Sequence, residues 1–287
     1  VTLPIISKDE TGLLTETFNE MVEGLRDREK LKSMFSAYVS QEVAEAVMRG
    51  EVRLGGEKRH VTVMMTDVRS FTTISEGVTP EQLVEMFNRY FEYMIDSIFE
   101  FEGILDKFIG DGIMIEFNAP LFQERHELRG VLTGLRMREM LAKFNEDQAE
   151  LGLPPFAIGM GVHCGDAIMG NIGADGKKVE YTALGDTVNV SARLESATKE
   201  IGTDLCISAD VYSYVRDYID VGPRVGLALK GKTVPVYAYT VLGVKPGLTI
   251  GIDLVRMPIE EVRQLVYAAG GDLDSGEGAL EAGAAAG

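Results

Sequence analysis

The period of the apolar positions changes twice along the chain, and the changes divide it. Leu14, Phe18, Met21, Val22 and Leu25 recur at helical spacing behind Asp9, a residue suited to cap a helix start. After the charged run Asp27-Arg28-Glu29-Lys30, a second amphipathic stretch carries Leu31, Phe35, Val39, Val43 and Val47. Its phase has slipped relative to the first, so the two are not one heptad repeat. Gly50 and the Gly55-Gly56 pair end it. Such a segment suits either surface helices packed on a core or a dimerising signal helix.

From His60 the texture becomes that of a mixed domain. Residues 60–66 form a short, mostly apolar run, expected as a buried strand. A helix is expected over 80–101, with Leu83, Phe87, Tyr90, Phe91, Met94, Ile95 and Ile98 on its inner face. Residues 104–109 and 113–117 flank the turn Gly110-Asp111-Gly112 as a β-hairpin. A helix over 123–151 stops at Pro154-Pro155, and 156–163 with 167–172 read as a second hairpin through Gly165. A strand near 179–183, a helix over 186–199, a strand at 204–208 and two strands flanking Lys230-Gly231-Lys232 follow. The order βαββαβ predicts an α+β fold: a ferredoxin-like antiparallel sheet with helices on one face and added strands and helices, preceded by the amphipathic helical segment. After Lys245 the pattern fades: residues 248–269 suit either a short helix on the domain or nothing, and the Gly/Ala-rich end reads as disordered.

Composition narrows the function. With 287 residues the chain holds one good-sized domain with attachments, or two small ones. A net charge of −17 would repel a phosphate backbone, so nucleic acid is not an expected partner. Cys164 and Cys206 lack metal-ligand spacing and are expected as free, buried thiols. No apolar run is long enough to span a bilayer, so the fragment as given is expected to be soluble.

Asp67 closes the first strand and Asp111 sits at the hairpin turn, and in a βαββ sheet these two points meet. Each Asp alone suits a capping or turn role; together their charges ask for cations between them, and a hard ion such as Mg²⁺ takes oxygen ligands. Ser70-Phe71-Thr72-Thr73 follows a strand and opens a helix, where backbone N–H groups can cradle phosphate. Asn189 and Arg193 share one helix face, either as plain polar surface or as a ribose and phosphate clamp. Lys230 reads as a turn lysine between strands.

Together these segments resemble the class III adenylate and guanylate cyclases over about residues 60–243, through four motifs in order. Met64-Met-Thr-Asp67-Val-Arg-Ser-Phe-Thr72 resembles the first metal motif, with Ser70 where the family usually has Gly. Lys107-Phe-Ile-Gly-Asp111 resembles the motif that carries a base-selecting lysine and the second metal aspartate. The stretch from Thr182 through Asn189 to Arg193 resembles the base-selecting and transition-state motif, and Lys230 falls at the phosphate-binding lysine. The resemblance implies a head-to-tail homodimer with shared sites. One subunit would give Asp67, Asp111 and the Val68 carbonyl to two divalent ions, Mg²⁺ or Mn²⁺. Phe71 and Thr72 would lie along the triphosphate. The other subunit would give Lys107, Thr182, Asn189, Arg193 and Lys230. ATP is the implied substrate: Lys107 donates to adenine N1, and Thr182 can accept from the 6-amino group, though a hydroxyl could also donate to guanine O6. Guanylate cyclases of the family usually carry Glu and Cys at these positions.

Residues 8–21 are similar to the second half of a HAMP relay module, and 35–52 to the transducer that such cyclases carry. The expected layout is a partial HAMP module at 1–29, a transducer helix and linker at 30–58, a catalytic domain at 59–245 and a tail at 246–287. This implies an upstream transmembrane or sensor region in the same protein, with the catalytic part on the cytoplasmic side of the membrane.

Overall fold

The computed structural model describes residues 3, 4, 7, 9–35, 56–174, 178–228 and 234–272. It divides into two compact units, Val1–Val52 and Arg53–Gly287. In the first, helix α1 spans Glu10–Phe35. Asp9 Oδ1 accepts from the Thr11 N–H at 3.0 Å, as a cap should. Asn19 pairs with both backbone groups of Leu3, each at 2.8 Å. Leu13, Leu14, Phe18, Met21 and Leu25 are exposed within this unit.

The second unit runs β1 (Glu57–Val68), α2 (Phe71–Gly77), α3 (Pro80–Glu100), β2 (Ile104–Ile109), β3 (Gly112–Phe117), α4 (His126–Glu150), β4 (Ile158–Ala174), β5 (Lys178–Leu184), α5 (Asp186–Ile201), β6 (Leu205–Ser208), α6 (Ala209–Val215), β7 (Ile219–Val221), β8 (Val225–Leu227), β9 (Val236–Val244), α7 (Ile252–Arg256) and α8 (Ile259–Ala268). The sheet order is β2-β3-β1-β4-β6-β9-β7, with β5 beside β4 and β8 beside β9. Its first four strands are the expected ferredoxin-like set. One described pairing, β4 with β6, is parallel.

Alternation along β1 builds two cores. Met64 and Val68 point to one face, where α3 and α4 pack through Met86, Tyr90, Met94, Ile98, Leu128 and Leu132. A reciprocal capping box between Thr79 and Gln82 starts α3. Val61, Val63 and Met65 point to the other face, toward Ala183 on β5 and Val188 and Ala192 on α5. Helices therefore cover both faces, where the sequence pattern suggested one.

The expected hairpin through Gly165 does not form: β4 is one strand, paired with β1 from Ile158 to Met169. Its glycines clear a path for α5 instead. A Cβ at Gly161 would lie 2.2 Å from the Glu195 nitrogen and 2.4 Å from the Ser191 carbonyl oxygen, and one at Gly165 would lie 2.8 Å from Thr187 Oγ1. The Ser191 hydroxyl sits 2.9 and 2.8 Å from the Val63 and Gly161 carbonyls and fastens the helix to two strands. Beyond Lys245 the fold also continues, because α7 and α8 bury Leu254, Val255, Val262 and Val266 in the main core. Both cysteines are free and buried.

Candidate active site

β1 and the β2–β3 turn meet as expected. Thr66 pairs with Ile113, which sets Asp67 beside the turn that carries Asp111. A Cβ on Gly112 would lie 2.3 Å from the Thr66 carbonyl, so only glycine lets the turn come down this far. Burial, and after it the charge of Asp111, hold the Asp67 carboxyl above its usual pKa. On α5, Glu195 is raised by burial and then by the charge of Asp67. The Asp67–Asp111 pair fits a hard divalent cation, because positive charge beside two facing carboxylates offsets their repulsion. Val68 has a buried side chain, so its carbonyl is what it can offer a metal.

The segment after Asp67 is held from behind. The Arg69 N–H donates to Ala157 at 2.7 Å, and its guanidinium donates to Thr198 Oγ1 at 2.9 Å and to the Thr203 carbonyl at 2.6 Å. Ser70 has φ 58°, the left-handed conformation that glycine takes freely. Phe71 packs edge-on against Phe87 with ring centroids 5.4 Å apart, while Thr72 is exposed at the start of α2.

Lys107 and Thr182, 75 positions apart (182 − 107), come together around a residue that the sequence reading did not single out. A register shift between Leu105 and Lys107 places Asp106 in a β-bulge. The Thr182 hydroxyl donates to Asp106 Oδ2. Lys107 Nζ lies 3.6 Å from Asp106 Oδ1 and donates to Glu180 Oε2 at 2.7 Å. Burial works against the Lys107 charge, but the Glu180 hydrogen bond and the two carboxylates outweigh it and raise its pKa. Beneath lies Glu116, 1 % exposed, whose Oε1 accepts from the Ala183 N–H at 2.7 Å. Burial, and then the charge of Asp106, raise the Glu116 pKa well above the carboxylate range. Asp106 Oδ1 and Glu116 Oε2 are both buried with no other hydrogen-bond partner. Burial raises Asp106 as well, against the pull of Thr182 and Lys107, and a single proton shared by the two carboxyls would satisfy both atoms.

Asn189 is exposed on α5, and its Nδ2 lies 3.3 Å from the Gly185 carbonyl. Arg193 is half-buried one turn on, with no ion pair among the described residues. Lys230 lies outside the described residues. Within one chain, then, Asp67 meets Asp111, Lys107 meets Thr182, and Asn189 and Arg193 line one helix. Asp106, Glu116, Glu180 and Glu195 escaped the sequence reading, because a lone acid in a strand or helix carries no signal of what it will face.

The description "Adenylate and Guanylate cyclase catalytic domain" matches residues 55–243. Adenylate cyclase 1 of Rhizobium meliloti (strain 1021) is 36% identical over 214 residues, 73% of this chain and 32% of that protein. The chain thus spans about a third of the length of the curated relatives it matches. The crystal structure of the guanylyl cyclase Cya2 aligns with TM-score 0.64 and 35% identity, covering 69% of this chain and 99% of Cya2. That of the adenylyl cyclase CyaB from P. aeruginosa aligns with TM-score 0.63 and 31% identity, covering 68% and 100%. The matched span holds the aspartate pair, the Lys107–Thr182 cluster and α5, and the chain belongs to the adenylate and guanylate cyclase catalytic domain family.

Proposed function

We propose that this chain is an adenylate cyclase, forming 3′,5′-cyclic AMP and pyrophosphate from ATP at sites shared across a homodimer. Relatives named for either base align about equally well, so the choice of substrate rests on the base pocket. The observation that carries it is the hydrogen bond from Thr182 to Asp106. A hydroxyl has one proton; once that proton is given to a carboxylate, the oxygen can only accept. Thr182 then matches the 6-amino group of adenine and repels O6 of guanine. Lys107 donates only, which suits adenine N1 and opposes the N1–H of guanine. Glu180 takes one of its three N–H groups and leaves donors for the base.

In this reading Asp67, Asp111 and the Val68 carbonyl hold two divalent ions, Mg²⁺ or Mn²⁺. When bound, such ions lower the pKa of the ribose 3′-hydroxyl and offset the phosphate charge. Arg193 from the partner subunit's copy of α5 stabilises charge developing on the α-phosphate, and Asn189 orients the ribose. Phe71 and Thr72 flank the phosphates, and Lys230 takes up charge on the leaving pyrophosphate. Within one chain Arg193 has no anionic partner among the described residues, which supports a role toward substrate.

The N-terminal segment belongs to the same proposal. Residues 1–29 act as part of a HAMP relay and 30–58 as a transducer, passing a signal from an upstream sensor to a catalytic domain at 59–245 on the cytoplasmic side of a membrane. Among the described residues no helix is long and apolar enough to cross a membrane.

The test is product formation by the purified chain with ATP and GTP in parallel, under Mg²⁺ and Mn²⁺. Cyclic AMP with a rate steeper than linear in protein concentration is expected. Preferential cyclic GMP formation would overturn the base assignment, and ATP binding without product would favour a nucleotide-sensing module.

A further inference from the structure

Two of the chain's three histidines meet a buried glutamate far from the aspartate pair. His60 lies seven positions before Asp67 on β1 (67 − 60), which is about 23 Å of extended strand. His126 and Glu127 open α4. One ligand atom from each of the three lies within 4.8 Å of the others. Both imidazoles are aimed from behind. His60 Nδ1 is 3.3 Å from Asp166 Oδ1 on the neighbouring strand, and Lys58 holds that carboxylate at 2.7 Å. His126 Nδ1 is 2.8 Å from Thr62 Oγ1. This is the arrangement of metal-bound histidines, in which the far nitrogen of each ring is fixed by an oxygen. The His126 Nε2 is turned to Glu127 Oε1, 3.3 Å away.

We propose that His60, His126 and Glu127 form a binding site for a divalent transition cation of the Zn²⁺ class, with Asp166 and Thr62 orienting the two imidazoles. Two imidazoles and one carboxylate form a borderline donor set that favours Zn²⁺ over Mg²⁺. Glu127 is 5 % exposed, so a cation there would meet a carboxylate that water does not reach. The nearby Arg129 is committed to Glu102 at 2.9 Å. The exposed side of His60 leaves a fourth position for water, and the bound ion would clamp the start of α4 to β1.

The experiment uses the full chain carrying Asp67→Asn and Asp111→Asn, which removes the proposed catalytic metal pair. After chelator treatment it is titrated with Co²⁺, followed by visible absorption and by the thermal midpoint. One Co²⁺ per chain is expected, with a tetrahedral-type spectrum, a raised midpoint and no displacement by excess Mg²⁺. His60→Ala, at an exposed position, should abolish the spectrum, Glu127→Gln should weaken binding, and Asp166→Asn should weaken it about ten- to hundredfold. The site is overturned if the chain takes up no Co²⁺, if His60→Ala and Glu127→Gln bind as the parent does, or if Mg²⁺ competes equally.

Discussion

Replacing Asp106 with Asn tests the base assignment at its hinge. The side chain keeps its size but loses its charge, and its amide group can donate to Thr182 Oγ1 where the carboxylate could only accept. The Thr182 proton, now held by Asp106, is then free to turn toward the base. Both groups are buried: the Asp106 side chain is 1 % exposed and Thr182 6 %. Water therefore cannot stand in for a lost partner. A hydrogen bond to a charged group contributes about 1.5–3 kcal/mol, and an unmatched buried polar group costs about 1–3 kcal/mol. At ~1.4 kcal/mol per factor of ten, the preference for ATP over GTP should fall about ten- to hundredfold. The assay is kcat/KM for both nucleotides with parent and variant, beside a thermal melt that shows the variant folded. A melt like the parent's with an unchanged ATP-to-GTP ratio would refute the reasoning. Loss of both activities in equal measure would refute it too, because the effect would then not be on base choice.

Three more expectations follow from the same contacts. An Asp67→Ala or Asp111→Ala chain should be folded and inactive, and mixing Asp111→Ala with Arg193→Ala should regain activity through one intact site per heterodimer; no rescue at any mixing ratio would rule out shared sites. Glu116 has a folded pKa above its unfolded one, so its contribution to stability is fully present below the ordinary carboxylate pKa and is lost as pH rises through the folded value. Glu116→Gln keeps a donor toward Asp106 and an acceptor for Ala183, so denaturant melts across pH should show that loss on raising the pH above the ordinary carboxylate range flattened, whereas parallel curves would argue against a proton on Glu116. Gly161→Ala drives a methyl into the α5 backbone and should cost about 1–3 kcal/mol, read as a lower denaturant midpoint with an unchanged slope.

The sequence by itself determined the parts of this protein that repeat a period or a motif. A short apolar run gave β1, the Gly110-Asp111-Gly112 turn between two apolar runs gave the β2–β3 hairpin, helical spacing gave α3, and element order gave the ferredoxin-like half of the sheet. Asp67, Lys107, Asp111, Thr182, Asn189 and Arg193 stand out in the sequence as candidates because the motifs that carry them lie in order along the chain. What only the tertiary structure decided depends on residues distant in sequence. Gly165 reads as a turn because a glycine within an apolar run is ambiguous; the packing of α5 makes it a clearance in a long strand. Residues 248–269 suit a short helix or none in the sequence, because two short amphipathic pieces do not show what they pack on; the core that α7 and α8 cover decides it. The Asp106–Glu116 pair and the His60–His126–Glu127 cluster are the sharpest cases. Nothing local marks these side chains, and their chemistry arises only when separate strands and a helix start bring them within reach. The direction of the Thr182 proton, on which the proposed choice of base turns, is likewise set by a carboxylate on β2, three strands earlier in the sequence.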